Sequence, residues 1–174
     1  ESLAAMRFVE HAVVEAAPEG IVVRYGNFYG PGASAGLVEL VRKRRLPIVG
    51  DGAGVWSWIH HDDAAAATVA ALERGRRGAY NIVDDDPAPV AEWSPSLAEI
   101  AGAKPPMRVP VWLARIVAGQ VPTEWRTGGR GASNSKARRE LDWRPAWSSW
   151  RDGFRDGLTD GAGAVRLRGG PGGV

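Results

Sequence analysis

Pro18-Glu19-Gly20-Ile21-Val22-Val23-Arg24-Tyr25-Gly26 sets a short, largely β-branched run between a turn and a glycine. A run bounded in this way predicts a strand buried on both faces of a parallel sheet. Just upstream, Leu3, Met6, Val9 and Val13 recur at helical spacing with Arg7, Glu10 and His11 between them. That spacing predicts an amphipathic helix over 3–17, ended by Pro18. Helix, turn and buried strand in this order make one α/β step.

Further steps follow. Gly30-Pro31-Gly32 reads as a loop and 35–44 as a second helix, with strands Pro47-Ile48-Val49 and Trp56-Ser57-Trp58-Ile59-His60 on either side of Gly50-Asp51-Gly52. Asp62 or Asp63 is placed to cap a helix over 64–74, whose first N–H groups need an acceptor. Gly75 stands where a left-handed residue closes such a helix. A strand over 79–83, an acidic turn at Asp84-Asp85-Asp86-Pro87 and a helix over 90–101 come next, the helix kinked or restarted by Pro95. Met107-Arg108-Val109 is extended, and Pro110 opens a helix over 111–118 closed by Gly119. Two more helices are expected, over 135–141 and along the stripe Trp150, Phe154, Leu158. From Thr159 onward, glycine and arginine with almost no large apolar side chain predict a disordered tail at 159–174, leaving one domain over 1–158.

With 174 residues and 44% hydrophobic content, the chain is long enough for one core. No apolar run approaches the roughly 20 residues that span a bilayer, and the start lacks a basic leader, so a cytoplasmic protein with no membrane partner is expected. The absence of cysteine excludes disulfides, thiolate metal sites and thiol nucleophiles. A net charge of +2 conceals basic runs at 42–45 and 74–77. Nearby acids dilute them and no nucleic-acid module is recognisable, so no nucleic-acid partner is expected. No G-x-S-x-G, H-E-x-x-H or Walker pattern is present. His60-His61-Asp62-Asp63 invites a metal reading, but neighbouring strand residues point to opposite faces, and no metal site is expected. The chain opens inside a helix without an initiator methionine, the pattern of a piece of a longer protein.

Three ordered segments carry a family resemblance over about 3–154. Arg24-Tyr25-Gly26-Asn27-Phe28-Tyr29-Gly30-Pro31-Gly32 is similar to R-x-x-N-x-Y-G-P-G. Gly50-Asp51-Gly52 followed by Trp58-Ile59-His60-His61-Asp62-Asp63 resembles G-D-G followed by F-I-H-V-D-D, with Tyr80-Asn81-Ile82 further on. Ser133-Asn134-Ser135-Lys136-Ala137, Leu141-Asp142-Trp143-Arg144-Pro145 and Trp150-Arg151-Asp152-Gly153-Phe154 resemble S-N-x-K-A, L-G-W-x-P and W-R-x-G-F. These are marks of the extended short-chain dehydrogenases, the NAD(P)-dependent epimerase/dehydratase family.

The resemblance implies an α/β fold: the C-terminal portion of a Rossmann-like doubly wound sheet with the small substrate-binding lobe, incomplete on its own. It implies NAD or NADP as cofactor, with the backbone near Tyr25 and Gly26 meeting the nicotinamide carboxamide and Asn27 facing a small-molecule substrate. It also implies a homodimer through the first helix. On physical grounds, ligands bind beyond the carboxyl ends of parallel strands, and Gly26 and Gly30 are expected to leave backbone N–H groups free there. A plain turn with Asn27 capping it is the local alternative.

Two departures from the family matter. Catalysis there uses a Tyr-x-x-x-Lys pair, in which the ammonium lowers the phenol pKa. Here the first lysine is Lys43, the pair is incomplete in either register of the first helix, and no catalytic residue is nominated. Nucleotide-sugar enzymes carry an arginine for the diphosphate where this chain has Trp56, and an indole cannot neutralise a diphosphate. A nucleotide sugar is therefore disfavoured. Trp56, Trp58 and Phe28 are candidates to line a pocket for a smaller or more hydrophobic ligand, with core packing as the competing role for the tryptophans. An NAD(P)-dependent oxidoreductase or epimerase-like protein is expected, with a non-catalytic NAD(P)-binding sensor or scaffold as the alternative.

Overall fold

The structure is a computed structural model that describes residues 2–16 and 18–158; the tail expected at 159–174 lies outside the described residues. Its first half comprises α1 (Ser2–Ala16), β1 (Ile21–Tyr25), β2 (Asn27–Tyr29), α2 (Ala35–Arg42), β3 (Ile48–Val49), β4 (Val55–Trp56), β5 (Trp58–His60) and α3 (His61–Arg74). Its second half comprises β6 (Gly78–Ile82), β7 (Ala88–Pro89), α4 (Val90–Ile100), β8 (Arg108–Val109), α5 (Val111–Ala118), α6 (Gln120–Gly128), α7 (Ser135–Glu140) and α8 (Trp150–Asp156). Parallel pairs β1–β6, β2–β5 and β3–β8 and the antiparallel pair β4–β7 carry the expected α/β architecture.

Alternation along β5 sorts the core. Trp58 packs with Tyr29, Trp93, Leu97, Trp150 and Phe154 on one side. Its neighbour Ile59 packs with Ala67, Ala71, Tyr80, Ile82, Leu141 and Trp143 on the other, because successive strand residues face opposite ways. The alanines of α3 let that helix lie close on β1 and β5. α4 runs unbroken through Pro95, with Trp93 and Leu97 fully buried to either side of it. Tertiary packing outweighs the one hydrogen bond that a proline removes.

Several expectations are corrected. Asn27–Tyr29, where no strand was expected, is one, since Asn27 pairs with Trp58 and Tyr29 with His60. α3 is capped by the His60 imidazole, which accepts from Asp62 N–H at 3.2 Å, and not by Asp62 or Asp63. The Asp63 carboxylate instead accepts from the N–H groups of Ala146 and Trp147 at 2.8 and 2.9 Å, tying the closing segment to the sheet. Gly75 is extended, at φ −63°, not left-handed. A side chain there would strike the Ala71 carbonyl and Ile21. α6 was not foreseen, and β1 is half-buried to exposed where burial on both faces was expected.

That exposure has a plain cause. β1 pairs only with β6 among the described residues, and α1 reaches it through a fork from Arg24 to the Glu10 carboxylate at 2.7 and 2.5 Å. Met6, Phe8 and Val9 of α1 stay exposed. An unpaired strand edge beside an uncovered apolar helix face favours association. Residues 1–174 expressed alone are expected to self-associate as concentration rises through the micromolar range, and Phe8→Glu with Val9→Lys to shift sedimentation towards monomer. A wild-type monomer across that range would contradict the expectation.

Candidate functional site

A groove of about 520 Å³ opens beyond the carboxyl ends of the paired strands β1 and β6. Arg24, Tyr25, Gly26 and Asn27 form its floor with Asn81 and Val83; Val55, Trp56 and Ser57, joined by hydrogen bonds to the 125–132 segment, form its wall with Glu124 and Trp125. This is where an open parallel sheet receives ligands.

The floor is tighter than the sequence suggested. Gly26 N–H donates to the Ile82 carbonyl at 3.0 Å, and Gly30 N–H to Ser34 Oγ at 2.9 Å, so neither is free as expected. Hydrogen bonding simply continues past the end of β1. Glycine is required at 26 because a Cβ would stand 2.9 Å from the Ser57 carbonyl oxygen. Asn27 is held twice by that same carbonyl, through its backbone N–H at 2.8 Å and its Nδ2 at 3.1 Å. Its amide oxygen has no partner among the described residues. Tyr25 turns its hydroxyl to Thr68 Oγ1 at 2.6 Å, while its ring leans on Phe28, 5.3 Å between centroids.

Of the four side chains proposed to face substrate, Asn27 and Trp56 line the groove and the other two do not. Phe28 is exposed away from it, and Trp58 is 1% exposed, wedged edge-on between Trp93 and Phe154. Trp56 does both jobs: it lies 5.0 Å from Trp93 in the core, and its Nε1 donates to the Trp125 carbonyl at 3.3 Å across the groove wall. Sequence reasoning missed Trp125, Asn81 and Arg130. The run Arg126-Thr127-Gly128-Gly129-Arg130-Gly131 was the available signal, because glycines flanking a cation mark close backbone approach.

The histidine pair is also corrected. His60 ends β5 and His61 begins α3, so alternation fails at the junction and the rings stack at 4.5 Å, with Asp62 beside them. His60 Nδ1 is occupied as the α3 cap, and burial lowers its pKa, keeping the ring neutral. His61 Nδ1 faces the Tyr29 carbonyl at 3.3 Å. The cluster serves the strand-to-helix turn. The closing motif is structural too: Asn134 Nδ2 donates to the Val83 carbonyl and to Asp85 Oδ1, both at 2.8 Å, tying the start of α7 to the turn after β6.

A groove beyond the carboxyl ends of paired parallel strands, beside a helical lobe, is the place at which an open α/β sheet receives ligands. The chain belongs to the NAD-dependent epimerase/dehydratase family, which residues 3–83 match. It is 42% identical over 150 residues to the 3-diazoavenalumate denitrifying reductase of a Streptomyces species, covering 84% of this chain and 49% of the relative. The chain thus spans about half the length of the curated relative it matches. Its fold is similar to a nucleoside-diphosphate-sugar epimerase of Pseudomonas aeruginosa, with a TM-score of 0.70 and 21% identity over 87% of this chain and 50% of the other. It is also similar to the human epimerase family protein SDR39U1 with NADPH, with a TM-score of 0.68 and 20% identity over 79% and 48%. No helix among the described residues is long and apolar enough to cross a membrane.

Proposed function

We propose that this chain is the substrate side of an NAD(P)-dependent reductase whose substrate is a small aromatic or apolar molecule and not a nucleotide sugar. Trp56 carries the reading: an indole occupies the groove wall where the family's nucleotide-sugar enzymes place an arginine for the diphosphate. The name of the Streptomyces relative, a reductase, supports the reaction class.

The groove fits the nicotinamide end of the cofactor, an open sheet end floored by Tyr25 and Gly26. Bound NAD(P)H would supply hydride. The 174 residues contain no G-x-x-G-x-x-G, so none of them is assigned to the cofactor diphosphate. Asn27, pinned by the Ser57 carbonyl, presents its amide oxygen to a substrate donor. Trp56 and Trp125 offer apolar ring surface to a bound ligand. Tyr25 turns its hydroxyl to Thr68 and is assigned no proton transfer; the second reading is a non-catalytic NAD(P)-binding sensor or scaffold.

The coding sequence upstream of Glu1 is expected to encode a strand, a glycine-rich phosphate turn and a helix; an unrelated upstream frame would remove the basis of the cofactor reading. The protein as its gene encodes it is expected to oxidise NADPH or NADH with a conjugated aromatic substrate, whereas cofactor binding without turnover across such a panel would favour the sensor. Trp56→Arg is expected to raise affinity for UDP- or dTDP-sugars about tenfold, measured by calorimetry. Tight sugar binding by the unsubstituted protein would refute the exclusion argument.

A further inference from the structure

The groove wall contains a clamp that the reading so far does not use. Val55 is held from both sides by one segment: its N–H donates to the Gly129 carbonyl at 2.8 Å, and its carbonyl accepts from Gly131 N–H at 3.1 Å. Arg130 is thereby bridged to Val55, immediately before Trp56. Neither flanking residue has room for a side chain. A Cβ at Gly129 would stand 2.6 Å from the Val55 carbonyl oxygen, and one at Gly131, where φ is +70°, 3.0 Å from both Pro87 and Val55. Two sterically required glycines therefore fix the backbone of one arginine at the groove.

The groove's other charged side chains have hydrogen-bond partners. Arg24 forks onto Glu10, and Glu124 accepts from Gln120 Nε2 at 2.7 Å. Arg130 has no hydrogen-bond or ion-pair partner from its side chain among the described residues, although it lines the groove with Trp56 and Trp125. A planar fork of donors beside two indoles is complementary to a flat aromatic body ending in a carboxylate.

We infer that the substrate is an aromatic carboxylic acid, its ring lying against Trp56 and Trp125 and its carboxylate held by Arg130. This rests on the small-aromatic reading above and adds the acid group and its anchor. Glu124 opposes it through space, so recognition depends on the fork geometry and not on a net positive groove.

The test uses the protein as its gene encodes it, saturated with NADP⁺ or NAD⁺, titrated with cinnamate and with cinnamamide and followed by tryptophan fluorescence and calorimetry. Cinnamate is expected to bind about tenfold or more tightly than the amide. Arg130→Gln should remove that preference while leaving amide affinity within about threefold, Arg130→Lys should restore part of it, and Glu124→Gln should tighten cinnamate alone. If both ligands bind equally and Arg130→Gln changes neither, the carboxylate inference is overturned while the aromatic reading stands. If neither ligand binds to cofactor-loaded protein, the aromatic reading fails and takes this inference with it.

Discussion

Replacing Gly153 with alanine is expected to destabilise the fold by about 2–3 kcal/mol, although alanine is the better helix former by about 1 kcal/mol. Gly153 lies in the first turns of α8 against the ring of Tyr29, and a Cβ there would overlap the phenol oxygen and two ring carbons. Tyr29 has nowhere to go. It is fully buried, with the edges of its ring contacts to His60 and Phe154 set at 5.3 and 5.5 Å. Native packing density leaves no adjacent void, so α8 must lift or the ring must leave its rotamer. Urea unfolding followed by tryptophan fluorescence measures the loss, and Gly153→Val should lose more. Pairing Gly153→Ala with Tyr29→Leu should recover part of the difference, because the two side chains share one space. An alanine variant as stable as the original would mean that α8 does not dock on Tyr29 as described.

The helix-and-strand order was legible because it depends on local signals: β1 matches its sequence run residue for residue, and α5 begins after Pro110 and ends at Gly119 as their chemistry requires. β2 was missed because a three-residue strand beside Gly26 has no periodicity of its own and exists only through its pairing with β5. α6 was hidden by Pro122, which sits within its first turn, where a missing N–H costs nothing. The floor of the candidate site, Tyr25 to Asn27, was readable from the position of a strand end. Trp125 and Arg130 were not, since they reach the groove from about 70 residues away through contacts between Val55 and the Gly129–Gly131 segment. Trp58 and Phe28 lie outside the groove for one reason: residue type suggested an aromatic wall, but strand alternation and pairing decide which aromatics face it.

Asp84 should make the protein progressively less stable as pH rises from about 4 to about 8. Its carboxyl group is 1% exposed at the end of β6, with one oxygen accepting from Asp86 N–H at 3.3 Å and the other unpartnered. Burial, reinforced by the neighbouring charges of Asp86 and Asp85, pushes its pKa from 3.8 up to about 8. The unfolded chain releases this proton near pH 4, whereas the folded protein keeps it, so the folded state binds more protons across the interval and stability falls with pH. The contribution is complete below pH 4 and lost once pH passes about 8. A fully retained proton corresponds to about 1.4 kcal/mol per pH unit across that interval. Asp63, raised by burial, adds to the same trend, and His60, lowered by burial, opposes it at the acid end by destabilising the fold as pH drops through the ordinary histidine range. Asp84→Asn isolates the one group: an amide can accept from Asp86 N–H as the acid does, and it carries no charge at any pH. Unfolding midpoints of the two proteins should lie closest together below pH 4 and diverge up to about pH 8, with the asparagine variant the more stable. Parallel pH profiles for the two would show that Asp84 is ionised and solvated in the folded protein, against the burial on which the argument stands.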